Sequence, residues 1–163
     1  MHKSKVRTNA MRMLDRAKIP YEAVEYEHGP HDPVDGVSVA AGLGENPAAV
    51  FKTLVTHCGS SHFVFLVPVA EELDLKKCAR AAGVKNLEML PLKDLTRVTG
   101  YVRGGCSPIG MKKKFRTFAD SSLAGQDQIY VSGGQIGLQL KMIPADLIRA
   151  ADITLADIAR QGE

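Results

Sequence analysis

Apolar positions recur along the chain at two spacings. Between Ser4 and Lys18, the residues Val6, Ala10, Met13, Leu14 and Ala17 fall three and four apart, which predicts an amphipathic helix that Pro20 prevents from continuing. Residues 21–26 mix aromatic and β-branched side chains and suit a short strand. Residues 36–43 predict a short helix ended by Gly44, and Asn46-Pro47 then supplies a cap and a first-turn proline. Residues 50–57 and 62–69 are rich in strand formers. The four residues Cys58-Gly59-Ser60-Ser61 between their apolar runs predict a central hairpin.

Further on, Asp74 predicts the N-cap of a helix through Ala82, closed by Gly83. A strand over 86–90, a helix from Pro91 to Gly100 and strands over 101–103 and 115–119 follow from the same patterning. Ile129-Tyr130-Val131 and the run from Leu138 to Met142 flank a glycine-rich turn at 132–137. Pro144 opens a helix through Ile148, and residues 154–160 predict a last short helix. Strands and helices are interspersed without linker or repeat. The expectation is one domain over residues 1–163, of the α/β (α+β) class with a mixed or largely antiparallel sheet.

Composition narrows the class of protein. Hydrophobic residues at 45% and charged residues at 24% are ordinary for a soluble globular chain. A net charge of +3 is mild, so nucleic-acid affinity would have to come from local clustering. Cys58, Cys78 and Cys106 are odd in number and form no CxxC pair, which fits a reducing compartment and argues against a disulfide framework or cysteine zinc site. Lys3, Lys5 and Arg7 are followed by no apolar stretch of signal-peptide type, and no apolar run approaches membrane-spanning length. A cytoplasmic location without a membrane partner is expected. His28 and His31 form an HxxH pair in a loop with no third ligand evident, so no metal and no cofactor is expected.

Two features carry candidate chemistry. Gly104-Gly105-Cys106-Ser107-Pro108-Ile109-Gly110 can continue neither a helix nor an interior strand, and such a loop brings bare N–H groups close to whatever lies against it. Lys112, Lys113 and Lys114 follow at once, with Arg97, Arg103 and Arg116 nearby. A close-approach loop backed by cations suits a phosphate-bearing ligand, although a tight turn with a solvated lysine run has the same pattern. The second feature is Lys52. In an extended chain it shares a face with Val50 and Leu54, where an ammonium is costly unless solvated or paired.

These stretches also carry a resemblance. Val50-Phe51-Lys52-Thr53-Leu54, Leu73-Asp74-Leu75-Lys76-Lys77, Thr99-Gly100-Tyr101-Val102, the glycine-proline loop with Lys112-Lys113, and Ile129-Tyr130-Val131-Ser132-Gly133-Gly134 stand in the order and spacing of one family. The chain resembles the YbaK/EbsC family of aminoacyl-tRNA deacylases, related to the editing domain of bacterial prolyl-tRNA synthetases. The resemblance implies a curved, barrel-like sheet surrounded by helices. It also implies trans-editing of a mischarged aminoacyl-tRNA, foremost removal of cysteine from tRNA(Pro). By the same resemblance Lys52 is catalytic. Tyr26, Gly104, Gly105, Ser107, Pro108, Ser132, Gly133 and Gly134 fall at the substrate, and Lys112, Lys113 and Lys114 are candidate tRNA contacts.

The partners so implied are the aminoacyl end of tRNA(Pro) and prolyl-tRNA synthetase. Two departures bear on the amino-acid pocket: Asp35 where relatives often carry Phe, and Gln139 where they often carry an acidic residue. No Ser-His-Asp signature is present and no base stands beside Cys106, so attack by the substrate's own thiol is expected. The alternatives are water-driven deacylation of Ala-tRNA(Pro) or another aminoacyl-tRNA, and a non-catalytic module that binds a tRNA end or a synthetase.

Overall fold

Thr8, rather than Ser4, starts the first helix. Its hydroxyl accepts from the N–H of Met11, so α1 spans Asn9–Ala17 and closes at Lys18 in a left-handed conformation. The computed structural model describes residues 6–26 and 36–161, and the loop expected over 27–35, with His28, His31 and Asp35, lies outside them.

The remaining elements follow in order: β1 (Glu22–Glu25), α2 (Gly36–Leu43), β2 (Phe51–Cys58), β3 (Ser61–Pro68), β4 (Glu71–Leu73), α3 (Leu75–Ala82), β5 (Glu88–Met89), α4 (Leu95–Thr99), β6 (Arg116–Asp120), β7 (Ile129–Gln135), β8 (Leu138–Met142), α5 (Pro144–Ala151), β9 (Ile153–Ala156) and β10 (Ala159–Gln161). The strands form a five-stranded sheet in the order β5-β2-β3-β6-β9, a three-stranded sheet β1-β8-β7 and the pair β10-β4. The central hairpin is present, with Lys52 opposite Val67 and Leu54 opposite Phe65. The larger sheet is mixed, because β3 pairs with β6 and β6 with β9 in parallel. A parallel bridge between Val50, the residue before β2, and Tyr130 of β7 brings the two larger sheets together.

The sheet has two apolar sides. Phe51, Val55, Val64 and Leu66 pack with α1 and the β7–β8 hairpin. Phe65, Val67 and Phe118 pack with α3, where Cys78 is a small buried core residue.

Three sequence expectations are corrected. Residues 101–103 form no strand, because threonines take the backbone groups of Tyr101. Thr99 Oγ1 accepts from its N–H at 3.0 Å, and Thr96 Oγ1 donates to its carbonyl at 3.0 Å. Residues 132–137 are mostly strand, since β7 continues through Gln135 with a register shift against β8, leaving only Ile136-Gly137 to turn. The last predicted helix is instead β9 and β10. Ile153, Thr154 and Leu155 suit the open edge of β6, and the Asp120 carboxylate takes the N–H groups of Ile158 and Ala159 between those strands.

Candidate functional site

A cleft of about 350 Å³ opens where the two sheets part. Consecutive residues from Val50 into β2, as far as Val55, all line it. Successive side chains of a strand point to opposite faces, so a strand presented by one face could not do this. The cleft therefore meets β2 along its edge. On the side away from β3, the short β5 pairs only with Thr56 and His57, and Leu90 N–H reaches Val55 O. The wall is completed by Ser132 and Gln139, which face each other in the β7–β8 register, and by Arg103, Gly104 and Cys106 from the glycine-proline loop. Met89 and Leu92 form an apolar lip that is 43% and 57% exposed.

Lys52 is the half-buried cation of this wall. Burial lowers its pKa, and the Glu72 carboxylate opposes that shift only in part, its own ion-pair partner being Arg160. Cys106 is the thiol of the wall. Burial pushes it up to about 11, against a weaker lowering effect from Thr99, so it carries almost no thiolate at neutral pH. Among the described residues, no group of three His, Cys, Asp or Glu side chains could hold a metal ion.

The glycines that the resemblance assigned to substrate are mostly engaged with the protein itself. A Cβ on Gly105 would lie 3.1 Å from the backbone of Gln135 and Ile136, and one on Gly133 would lie 2.8 Å from Leu138 Cγ. Gly134, at φ +101, faces Tyr101 and Thr8. Ser107 and Pro108 are buried beneath the loop, and Ser107 Oγ accepts from the N–H of Ile109. Among these candidates only Gly104 and Ser132 line the cleft with Lys52. Tyr26 lies on a separate shallow depression beside Glu25, Gln135 and Gly137.

None of the three lysines lines the cleft. Lys112 folds over the end of α4, with Nζ 3.4 Å from the Arg97 carbonyl, and Lys114 pairs with Asp152 at 3.1 Å. Lys113 is exposed and its charge is felt by His62. Arg103, not singled out in the sequence as a site residue, is the exposed cation on the cleft wall. Thr53 was also missed, because a threonine in a strand carries no signal of its own.

Comparison with known proteins places this architecture. The family described as the aminoacyl-tRNA editing domain matches residues 31–150, and the chain belongs to that family. EbsC of Enterococcus faecalis, which bears the name Cys-tRNA(Pro)/Cys-tRNA(Cys) deacylase, is 43% identical over 157 residues, covering 96% of this chain and 95% of EbsC. A proline–tRNA ligase of Geobacter is 29% identical over 72% of this chain but only 22% of the ligase. A crystal structure described as a trans-editing enzyme for prolyl-tRNA synthetase superposes with a TM-score of 0.81 at 22% identity, covering 96% of this chain and 99% of that one. That likeness bears on the fold, a mixed α/β domain. Among the described residues no helix is long and apolar enough to cross a membrane.

Proposed function

We propose that this protein deacylates mischarged aminoacyl-tRNA in trans, with Cys-tRNA(Pro) as the foremost substrate and prolyl-tRNA synthetase as the enzyme whose errors it clears. The observation that carries the reading is a half-buried lysine on an otherwise largely apolar cleft, in a chain of the editing family. The near full-length similarity to EbsC supports the choice of cysteine. We place the reaction in the cytoplasm, where tRNA is charged.

Hydrolysis of an aminoacyl ester passes through a tetrahedral centre that gathers negative charge on oxygen. Lys52, held at the wall and partly shielded from water, stabilises that charge more than it does the neutral ester. Cys106 is a poor nucleophile: burial pushes its thiol up to about 11, and the side chain hydrogen-bonded to it, Thr99, is no base. The substrate's cysteine thiol supplies the attack instead. Its sulfur forms a bond to its own carbonyl carbon, the bond to the 3′-terminal ribose oxygen breaks, and the thiol proton ends on that oxygen. Water then opens the strained cyclic thioester. Within this reading Gly104 and Ser132 meet the aminoacyl ester, and the glycine-proline loop, through Gly105, Ser107 and Pro108, holds Gly104 and Cys106 in place. Gly133, Gly134 and Tyr26 shape the hairpin behind it. Arg103 and Lys113 meet tRNA phosphates, with Lys112 and Lys114 adding to the field.

The test is deacylation of Cys-, Ser- and Ala-tRNA(Pro) under identical conditions. Cys-tRNA(Pro) is expected to turn over far faster than Ser-tRNA(Pro), because a hydroxyl is hardly ionised where a thiol is a few per cent thiolate. Comparable rates on cysteine and serine would point to attack by water, preference for alanine would move the specificity, and tRNA binding without turnover would leave a binding module.

A further inference from the structure

Among the described residues, two side-chain oxygens are sealed from solvent without a hydrogen-bond partner, Thr53 Oγ1 and Gln139 Oε1. Both belong to residues that line the same cleft. Buried polar atoms are almost always satisfied, so two orphans on one cavity mark a place where a ligand supplies the missing partner. Their neighbours make the contrast. Thr56, three residues along the same strand, donates its hydroxyl to Phe63 O at 3.1 Å. Ser132, opposite Gln139, accepts from the N–H of Gly134 at 3.3 Å. Those two hydroxyls already have a partner within the protein, whereas Thr53 Oγ1 and Gln139 Oε1 have none. Gln139 is 5% exposed on the middle strand of its sheet, where a methionine would fill the space with nothing unsatisfied.

We propose that Gln139 and Thr53 form a subsite for the α-amino group of the aminoacyl ester. The inference rests on the deacylase reading and specifies what that site recognises. An amide oxygen can only accept. The ester carbonyl also only accepts and cannot satisfy Gln139 Oε1, a thiol is a weak donor, and the ribose hydroxyl beside the ester offers one neutral donor; the Thr53 hydroxyl can accept beside Gln139. The ammonium offers three donors in charge-assisted bonds, which are the strongest available to a neutral oxygen. Lys52 does not spoil this arrangement. Adjacent residues leave a strand on opposite faces, and Thr53 lies opposite Leu66 where Lys52 lies opposite Val67. The β2 backbone thus separates the cation, suited to the developing oxyanion, from the acceptors, suited to the amine.

The experiment compares Cys-tRNA(Pro) with tRNA(Pro) carrying a 3-mercaptopropionyl ester, which keeps the thiol and the ester and lacks only the amino group. The wild-type protein should lose about tenfold to a hundredfold in kcat/KM on the desamino substrate beyond the difference the two esters show without enzyme; that subtraction removes the activation that the ammonium gives its own ester. Gln139→Met should raise KM on Cys-tRNA(Pro) by about tenfold, leave the desamino reaction unchanged, and not lower Tm without substrate, since it removes an orphan. A wild-type preference no larger than the difference the two esters show without enzyme would overturn the subsite while leaving the deacylase reading intact. So would a Gln139→Met variant with unchanged KM, or one equally impaired on both substrates. A wild-type protein inactive on every aminoacyl-tRNA would overturn the deacylase reading, and the subsite with it.

Discussion

The glycine-rich stretches and the β2 wall invite opposite first impressions, and the structure gives each the surroundings expected of the other. Gly105, Gly110, Gly133 and Gly134 look like a cradle for a ligand, yet each lies within about 3 Å, at its missing Cβ, of the protein's own atoms. A glycine signals that something comes close; here the visitor is the N-terminus of α1, Tyr101 and the β7–β8 hairpin. The β2 wall looks like an ordinary core strand. It nonetheless carries a costly cation and, with β8, two unsatisfied oxygens. Packing follows the burial rules, and the places that break them face the cleft.

The largest expected effect that tests this contrast is Lys52→Met. It should lower kcat/KM for Cys-tRNA(Pro) by about a hundredfold or more, the scale seen when one stabiliser of an oxyanion is removed. Stability should move the other way. Burial lowers the pKa of Lys52, so its charged form is disfavoured on folding. That penalty is fully present below the folded pKa and disappears as pH rises through it towards the ordinary value of 10.5. The Tm of the methionine variant should therefore exceed wild type at neutral pH, with the gap narrowing towards pH 10.5. A lower Tm at neutral pH would make Lys52 a structural residue.

Gly134→Ala attacks the other side of the comparison. Its φ of +101 and a Cβ 2.9 Å from Tyr101 Cε1 should cost roughly 2–4 kcal/mol and lower Tm by roughly 5–15 °C. Gly125→Ala, with open space around it, should change neither stability nor rate. A Gly134→Ala variant with native Tm but raised KM would return this glycine to the substrate.

Smaller effects sharpen the division within the wall. Cys106→Ala should keep activity within about threefold, since its thiol is not ionised; a folded but inactive variant would make it the nucleophile. The mildest is electrostatic. Arg103→Ala should reduce the slope of log binding constant against log salt for tRNA by about one contact. Lys114→Ala should change it less, because its charge already meets Asp152.

Much of the fold was legible because single residues announce ends. Asp74 caps α3 through the N–H groups of Lys76 and Lys77, Gly83 closes it, and Pro144 opens α5. The elements at residues 101–103 and 154–160 were misread because distant or side-chain partners decide them. Thr96 and Thr99 take the backbone of Tyr101, and β4 recruits β10 from the far end of the chain. Lys52 was visible as a charge in an apolar strand. Gln139 was visible as a departure from its relatives, but its missing partner was not, because satisfaction of an oxygen depends on neighbours such as Val24 and Ser132 that only the register supplies.

The cap of α1 has a consequence for how the chain is made. Thr8 donates to Gly133 O across 125 positions, and Asn9 Nδ2 reaches Gly110 O across 101. On a ribosome adding about 5–20 residues per second, the first helix waits roughly 6–25 s for the carbonyl that Thr8 binds. Through that interval its apolar side, Ala10, Met11 and Leu14, has no β7–β8 hairpin to cover it. Until β7 emerges the cap of α1 has no Gly133 carbonyl to hold, and the two glycine stretches lock when the β7–β8 hairpin forms, ahead of β9 and β10.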